Sequence, residues 1–309
     1  MAKSAGRGTL AAMTTTFDTT TTTRVARNGE VELWTEMQGT DGSAVLLMMG
    51  SGSQAIQWEP AFVEPLVRAG HRVVRFDWRD VGLSTWGDFR ARPYTPLDLI
   101  GDAVAVLDAW DLPSAHLVGF SMGGGLGQLL AGLYAGRALS LTSLSAPCMG
   151  GDVPALPEDP ETFLRFCSRQ PTDEHELETW FVEQNRLVAG SAVDFDEDDW
   201  RTRVRGWLAR GNNRRCGHMA ALRRQAETGG ALGGTDVCRA LRAHIRIPTL
   251  AIHGDEDLIV MPAHADEMVA TTPDARAVHL PGRGHDLWLD PTGEITCLII
   301  DHVAAAERV

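Results

Sequence analysis

The stretch that decides the fold is Ala115-His116-Leu117-Val118-Gly119-Phe120-Ser121-Met122-Gly123-Gly124-Gly125-Leu126-Gly127. Its first half, Ala115 to Phe120, is short and mostly apolar, the look of a buried central strand. A helix of small residues follows Ser121 at once. Gly119-Phe120-Ser121-Met122-Gly123 has the form G-x-S-x-G, which alone is a weak signal. Its context strengthens it. A sharp strand-to-helix turn strains the backbone of the residue at its tip, and flanking glycines let neighbouring chain pass close by. The Ser121 hydroxyl then stands clear of the sheet, and the following amide points at a reacting carbonyl. The bland alternative is a serine that only caps a helix.

Working outward, strands and helices alternate. Val31-Glu32-Leu33-Trp34 alternates like a half-buried strand, and Ala44 to Met49 is a continuous apolar run ending in Gly50-Ser51-Gly52. Trp58, Phe62 and Leu66 recur on one face of a helix that closes at Gly70, and His71 to Phe76 is the next strand. Thr95-Pro96 starts a helix carrying Ile100, Val104 and Leu107 on one side. Strands follow at 139–144, 249–252 and 277–280, and a last helix from about Pro291 turns Ile295, Leu298, Ile299 and Val303 inward. This rhythm implies an α/β fold, a mostly parallel central sheet with helices on both faces. It breaks between Cys148 and Ala243, where helical stretches surround Phe163, Trp180 and Met219. The expected organisation is an α/β core at 25–147 and 244–309, with a helical cap (lid) inserted at 148–243. Residues 1–24, rich in threonine, read as a disordered tail in which Met13 is a second candidate start.

Composition narrows the function classes. A formal net charge of −13 argues against nucleic-acid binding by a basic surface. No window is apolar enough for a membrane span, and the first residues lack the apolar stretch of a secretory signal. The five cysteines, Cys148, Cys167, Cys216, Cys238 and Cys297, form no C-x-x-C pair, so they read as packing residues of a reducing compartment. A cytoplasmic location is the expectation.

A serine nucleophile needs a base, and the base needs an orienting carboxylate. Four histidines lie downstream of the strand at 249–252. His264 and His302 fall in helices and His279 in a strand. His285 alone sits in a glycine-rich loop after the last strand, Pro281-Gly282-Arg283-Gly284-His285-Asp286, where parallel sheets place reactive groups. For the carboxylate, His253-Gly254-Asp255-Glu256-Asp257 offers competing acids. The oxyanion that forms during acyl transfer calls for two backbone amides. Met122, next after the nucleophile, supplies one, and Ser51 in the Gly50-Ser51-Gly52 loop is the best position for the other.

On these motifs the chain, from about Val25 onward, resembles the α/β-hydrolase superfamily: Gly119-Phe120-Ser121-Met122-Gly123, His253-Gly254-x-x-Asp257 and Gly284-His285. Asp77-x-Arg79-x-x-Gly82-x-Ser84 is similar to the family's loop after its fourth strand, a structural element. Further likeness, at Val31 to Trp34, Met49-Gly50 with Trp58, and Arg224-Gln225 before Pro248-Thr249-Leu250, is to the group that includes aclacinomycin methylesterase. The resemblance implies Asp257 as the acid, with Asp255 its rival. It also implies a serine hydrolase of carboxylic esters. The family's usual His-Gly at the oxyanion loop is Met49-Gly50 here, so any contact made by that histidine side chain is missing.

The expected chemistry is an acyl-enzyme cycle on a small-molecule ester carrying an apolar moiety, with no metal or organic cofactor. A homo-oligomer is left open. A lactonase, amidase or carbon–carbon bond hydrolase would share the triad, perhydrolysis is a minor variant, and a non-catalytic binding protein of the same fold is the alternative from another class. Ser121 argues against epoxide or halide chemistry, which uses an aspartate nucleophile. In the cap, Arg201, Arg203, Arg205, Arg210, Arg214, Arg215, Arg223 and Arg224 follow an acidic run at 194–199. The favoured reading is a helix surface whose charges pair within the chain; the sharper one puts one arginine on a substrate anion. Trp180, Trp200 and Trp207 either line an apolar pocket or pack a core.

Overall fold

A computed structural model describes residues 20–154, 161–166, 170–171, 173–211, 217–218, 220–221 and 234–308. The strands are β1 (Thr21–Asn28), β2 (Val31–Gln38), β3 (Ala44–Met48), β4 (Arg72–Phe76), β5 (Ala115–Phe120), β6 (Ala138–Leu144), β7 (Thr249–Gly254) and β8 (Ala275–Leu280). They form one eight-stranded sheet in the order β1-β2-β4-β3-β5-β6-β7-β8. β1 and β2 run antiparallel at one edge; from β4 across to β8 every pairing is parallel.

Helices cover both faces because the inner strands are apolar on both sides. In β3, Leu46 and Met48 join α2 (Pro96–Ala109) and α3 (Met122–Leu133) in one cluster. Val45 and Leu47, half a pleat away, join α1 (Pro60–Arg68) and the C-terminal helix in the other. α2 begins as expected at Thr95-Pro96, with a capping box in which Asp98 accepts from the Thr95 amide at 2.8 Å.

Thr21 to Arg24 departs from the disordered tail expected over residues 1–24. These residues form the start of β1, with Thr21 opposite Gln38 and Arg24 opposite Thr35. β-branched threonines suit an extended edge strand, and Arg24 is held over the Trp110 ring at 4.5 Å. The tail before residue 20 lies outside the described residues.

Between β6 and β7 the described residues contain α4 (Glu161–Phe166), α5 (Glu174–Val188), α6 (Glu197–Arg210) and α7 (Thr235–Ala243). The stretch around Met219 expected to be helical is only partly described, and Met219 is outside it. α7 rests on the core: Cys238 joins the α2–α3 cluster, and a Cβ at Gly132 of α3 would strike Leu241. α8 (Ala263–Thr271) and α9 (Glu294–Ala306) complete the described helices, with Ile295, Ile299 and Val303 buried as expected. No helix among the described residues is long and apolar enough to cross a membrane.

At the amino ends of the parallel strands sits a buried histidine cluster. His116 in β5 meets Ser140 Oγ at 2.9 Å, and its ring lies 6.3 Å from that of His71. Burial pushes His116 down to about 4, although the nearby Glu307 carboxylate works the other way. Burial lowers His71 and His302 as well. Histidines depressed in the native state bind fewer protons there than in the unfolded chain, so their contribution is complete above pH 6.5 and lost as pH falls toward 4. Thermal unfolding scans should show a flat Tm above neutrality and a loss of about 2 kcal/mol between pH 6.5 and 4. His116→Asn should flatten that slope.

Candidate active site

Ser121 stands at the sharp junction of β5 and α3, with φ +52° and ψ −117°. Few side-chain-bearing residues tolerate those angles, and the turn is fixed from both sides. The Ser121 amide donates to Leu144 O at 2.9 Å, and the Ser121 carbonyl accepts from the Gly125 amide at 3.1 Å. The glycines answer to close approach. A Cβ on Gly119 would overlap the backbone of Gly123, and one on Gly123 would overlap the carbonyl oxygen of Met48 in β3.

His285 arrives on the loop after β8. Its amide donates to Val188 O at the end of α5, at 2.8 Å. Its ring lies 4.9 Å from that of Phe120. Nε2 is 3.0 Å from Ser121 Oγ, and Nδ1 is 2.8 Å from Asp257 Oδ2. An ionised carboxylate only accepts, so Nδ1 carries the proton and Nε2 is left to accept from the serine hydroxyl.

Asp257 follows β7 in a tight turn, with its side chain fully buried. Burial alone would raise its pKa. The charge of His285 and hydrogen bonds from His253 and His285 outweigh it and hold the carboxyl well below the usual range. Oδ1 also accepts from the Ile259 and Val260 amides, each at 2.9 Å. His253, four residues earlier, lies 3.4 Å from Oδ2 and bonds Val260 O at 2.8 Å. His253 belongs to the His253-Gly254-x-x-Asp257 pattern, but its place beside the Asp257 carboxylate has no signal in the sequence.

The rival acid does different work. Asp255 is exposed and accepts from the Gly282 amide at 2.7 Å, closing the loop that carries His285. Glu256 takes the Ser191 hydroxyl and amide at 2.6 and 2.8 Å. The other histidines lie elsewhere: His264 accepts from the Cys148 amide, His279 pairs with Asp266, and His302 lies on Leu141 O. Burial pushes the Cys148 thiol up to about 11, which suits a packing residue rather than a nucleophile.

The loop after β3 lies beside the nucleophile, since a Cβ at Gly50 would meet Phe120 and Ser121 Cβ at 3.1 and 3.4 Å. Ser51 is in this loop. Met122 is the first residue of α3, so its amide is among those that no helical turn pairs. Asp77, buried after β4, accepts from the Ala55 amide at 2.7 Å and the Leu83 amide at 3.0 Å. Arg79 grips Asp102 through two 2.6 Å bonds, a structural ion pair.

Each arginine of the run that the structure describes meets an acid of the chain. Arg201 pairs with Glu178 and Glu197, Arg205 with Glu178, Arg203 with Glu59 and Asp199, and Arg210 with Asp77 at 2.6 Å. Pairing within the chain is therefore what is observed for these four arginines. Arg214, Arg215, Arg223 and Arg224 lie outside the described residues. Trp200 and Trp207 pack with Trp288 in the core cluster, and Trp200 also lines a crevice of about 220 Å³ between α1, α6 and the residues after His285. Trp180 stacks edge-on against Phe181.

A strand order of 1-2-4-3-5-6-7-8, with reactive groups gathered at the carboxyl ends of β5, β7 and β8, defines a class. The sequence pattern of the α/β-hydrolase fold family matches residues 45–292, and the chain belongs to that family. It is 35% identical to rhodomycin D methylesterase DnrP of Streptomyces peucetius over 306 residues, 92% of this chain and 99% of that one. It is 30% identical to epoxide hydrolase B of Mycobacterium tuberculosis over 210 residues, 65% of this chain and 55% of that one. Among solved structures, an enol-lactonase from Burkholderia xenovorans superposes with a TM-score of 0.70 at 23% identity, over 91% of this chain and all of that one.

The close approach at the elbow makes a direct prediction. Gly123→Ala forces Met48 O and the turn apart, so hydrolysis of a p-nitrophenyl ester should fall at least about tenfold. Stability should fall by about 1–3 kcal/mol in denaturant titration. Gly136→Ala, where a Cβ meets nothing within 4 Å, should leave both unchanged.

Proposed function

We propose that the chain is a carboxylic ester hydrolase that works through an acyl-enzyme on Ser121. The observation that carries the reading is the unbroken chain of contacts from Ser121 Oγ through His285 to Asp257, at 3.0 and 2.8 Å. The near full-length likeness to a protein named as a methylesterase supports the same bond type.

Ser121 Oγ attacks the ester carbonyl carbon while His285 Nε2 takes its proton. Asp257, anionic across the working pH range, holds Nδ1–H and stabilises the imidazolium. The amides of Ser51 and Met122 receive the oxyanion. The tetrahedral adduct then collapses, and His285 gives its proton to the departing alkoxide, which leaves as the alcohol. Water enters, His285 removes a proton from it, and the second collapse releases the acid while His285 returns that proton to Ser121 Oγ. Side chains, two amides and water complete the cycle without metal or organic cofactor.

The substrate in this reading is a small-molecule ester with an apolar moiety, because Phe120 and Phe166 face the His285 ring at 4.9 and 6.3 Å. The helices between β6 and β7 form the cap that selects it, and the cytoplasm is the proposed location. Ser121 separates this reading from the epoxide chemistry named for one relative, since a serine cannot supply the carboxylate nucleophile of an alkyl-enzyme ester.

Ser121→Ala should abolish turnover of short p-nitrophenyl and methyl esters, a loss of about 10⁶ in kcat, and should also abolish fluorophosphonate labelling. Undiminished turnover in that variant would sink the assignment, and an unlabelled wild type would point to a binding protein. Asp257→Asn should cost about 10⁴ in kcat with KM little changed, because the imidazole then adopts the wrong tautomer.

A further inference from the structure

We propose that His218, on the chain between α6 and α7, is a positioning residue for the oxyanion loop and works as the neutral imidazole protonated on Nε2. The proposal rests on the ester-hydrolase reading above and concerns how that site is held in shape. Its basis is a pair of contacts. The Gly52 amide donates to His218 Nδ1 at 3.2 Å, and His218 Nε2 lies 2.8 Å from the carbonyl oxygen of Arg79. A backbone amide can only donate and a carbonyl can only accept, so these two partners dictate one tautomer. Protonating Nδ1 would set two N–H groups against each other.

The imidazole is fully buried, so its polar atoms are held by protein rather than by bulk water. Its ring packs edge-on to Tyr94 at 6.2 Å. The Tyr94 hydroxyl donates to Asp80 Oδ2 at 2.8 Å, and the same oxygen accepts from the Gly217 amide at 3.3 Å. Asp80 thereby ties the backbone beside His218 to the Tyr94 ring that packs on the imidazole.

Gly52 adjoins Ser51, whose amide is the proposed oxyanion donor. Within the loop, Ser53 N donates to Gly50 O at 3.3 Å, and Trp78 Nε1 donates to Met49 O at 2.9 Å. Gln54 is clasped from α6: its Nε2 donates to Trp207 O at 2.8 Å, and its Oε1 accepts from Arg210 at 3.0 Å. The loop is thus gripped on both sides of Ser53 by the segment between β6 and β7. His218 holds the side next to Ser51. A shift of about 1 Å in an oxyanion donor is enough to reduce turnover by orders of magnitude.

Three variants and one variant-free measurement test this. His218→Phe keeps a flat ring and removes both bonds. It should lower kcat about 10- to 100-fold with KM within about twofold, the signature of a contact realised in the transition state. The affinity of a trifluoromethyl ketone, whose adduct with Ser121 places its oxyanion in the hole, should fall by the same factor as kcat/KM. H218N retains an acceptor at the place of Nδ1 and should recover kcat to within about threefold. H218Q retains only the donor toward Arg79 and should not. Nitrogen-15 NMR of the histidine-labelled wild type should show His218 with a bare Nδ1 and a protonated Nε2 at neutral pH.

The proposal is overturned if His218→Phe keeps kcat within twofold, if H218Q recovers as well as H218N, or if Nδ1 carries the proton. The NMR result needs no catalysis and no stable variant. It therefore separates failure of this inference from failure of the Ser121 assignment, which Ser121→Ala reports.

Discussion

A serine held at φ +52° between a buried strand and a buried helix is the constraint on which the molecule depends. Such a backbone stores strain of about 1–3 kcal/mol and persists only where the surroundings over-determine it. Here β3 presses on Gly123 from one side, while Leu144 at the end of β6 takes the Ser121 amide on the other. The turn lies at the centre of the sheet, at the end of β5 and beside β3, two strands in which every residue is buried. Packing on both faces supplies the rigidity that lets one hydroxyl be aimed.

The other groups of the site are less constrained by their own turns and more by each other. His285 is bonded at both ring nitrogens and through its amide to Val188. Asp257 is bonded at both oxygens. The loop that carries His285 is tied back by Asp255 through Gly282, and Glu256 ties the turn after α5 to the same corner. Neighbouring acids in one short stretch therefore divide into one that faces the imidazole and two that hold chain in place. A buried carboxylate survives there because it has charge and donors on every side.

The segment between β6 and β7 shares polar contacts with the core beside the loop after β3. Arg210 reaches Asp77 and lies over the Trp34 ring at 4.2 Å, while His218 reaches Gly52. Arg201, Arg203 and Arg205 are spent on acids of α5 and α6 and on Glu59 at the start of α1. Their charge serves to dock helices, which is the ordinary fate of alternating charge on neighbouring helices. Trp200, Trp207 and Trp288 fill the apolar seam beneath them.

The alternation of apolar runs with helical periodicity was enough to read the α/β architecture from the chain, because parallel strands buried on both faces leave a continuous apolar signature. Ser121 and His285 were legible for a local reason: glycine spacing around one and a glycine-rich loop after a strand around the other. Asp257 needed the family pattern, since nothing local distinguishes it from Asp255. β1 was hidden in a threonine run that reads as a tail until Val31–Gln38 pairs with it. The partners of the arginines between β6 and β7, the mount of Asp257 on His253, and the reach of His218 to Gly52 were decided by tertiary structure alone. A hydrogen bond between residues 166 positions apart leaves no periodicity in the chain, because both ends acquire meaning only when the sheet brings them together.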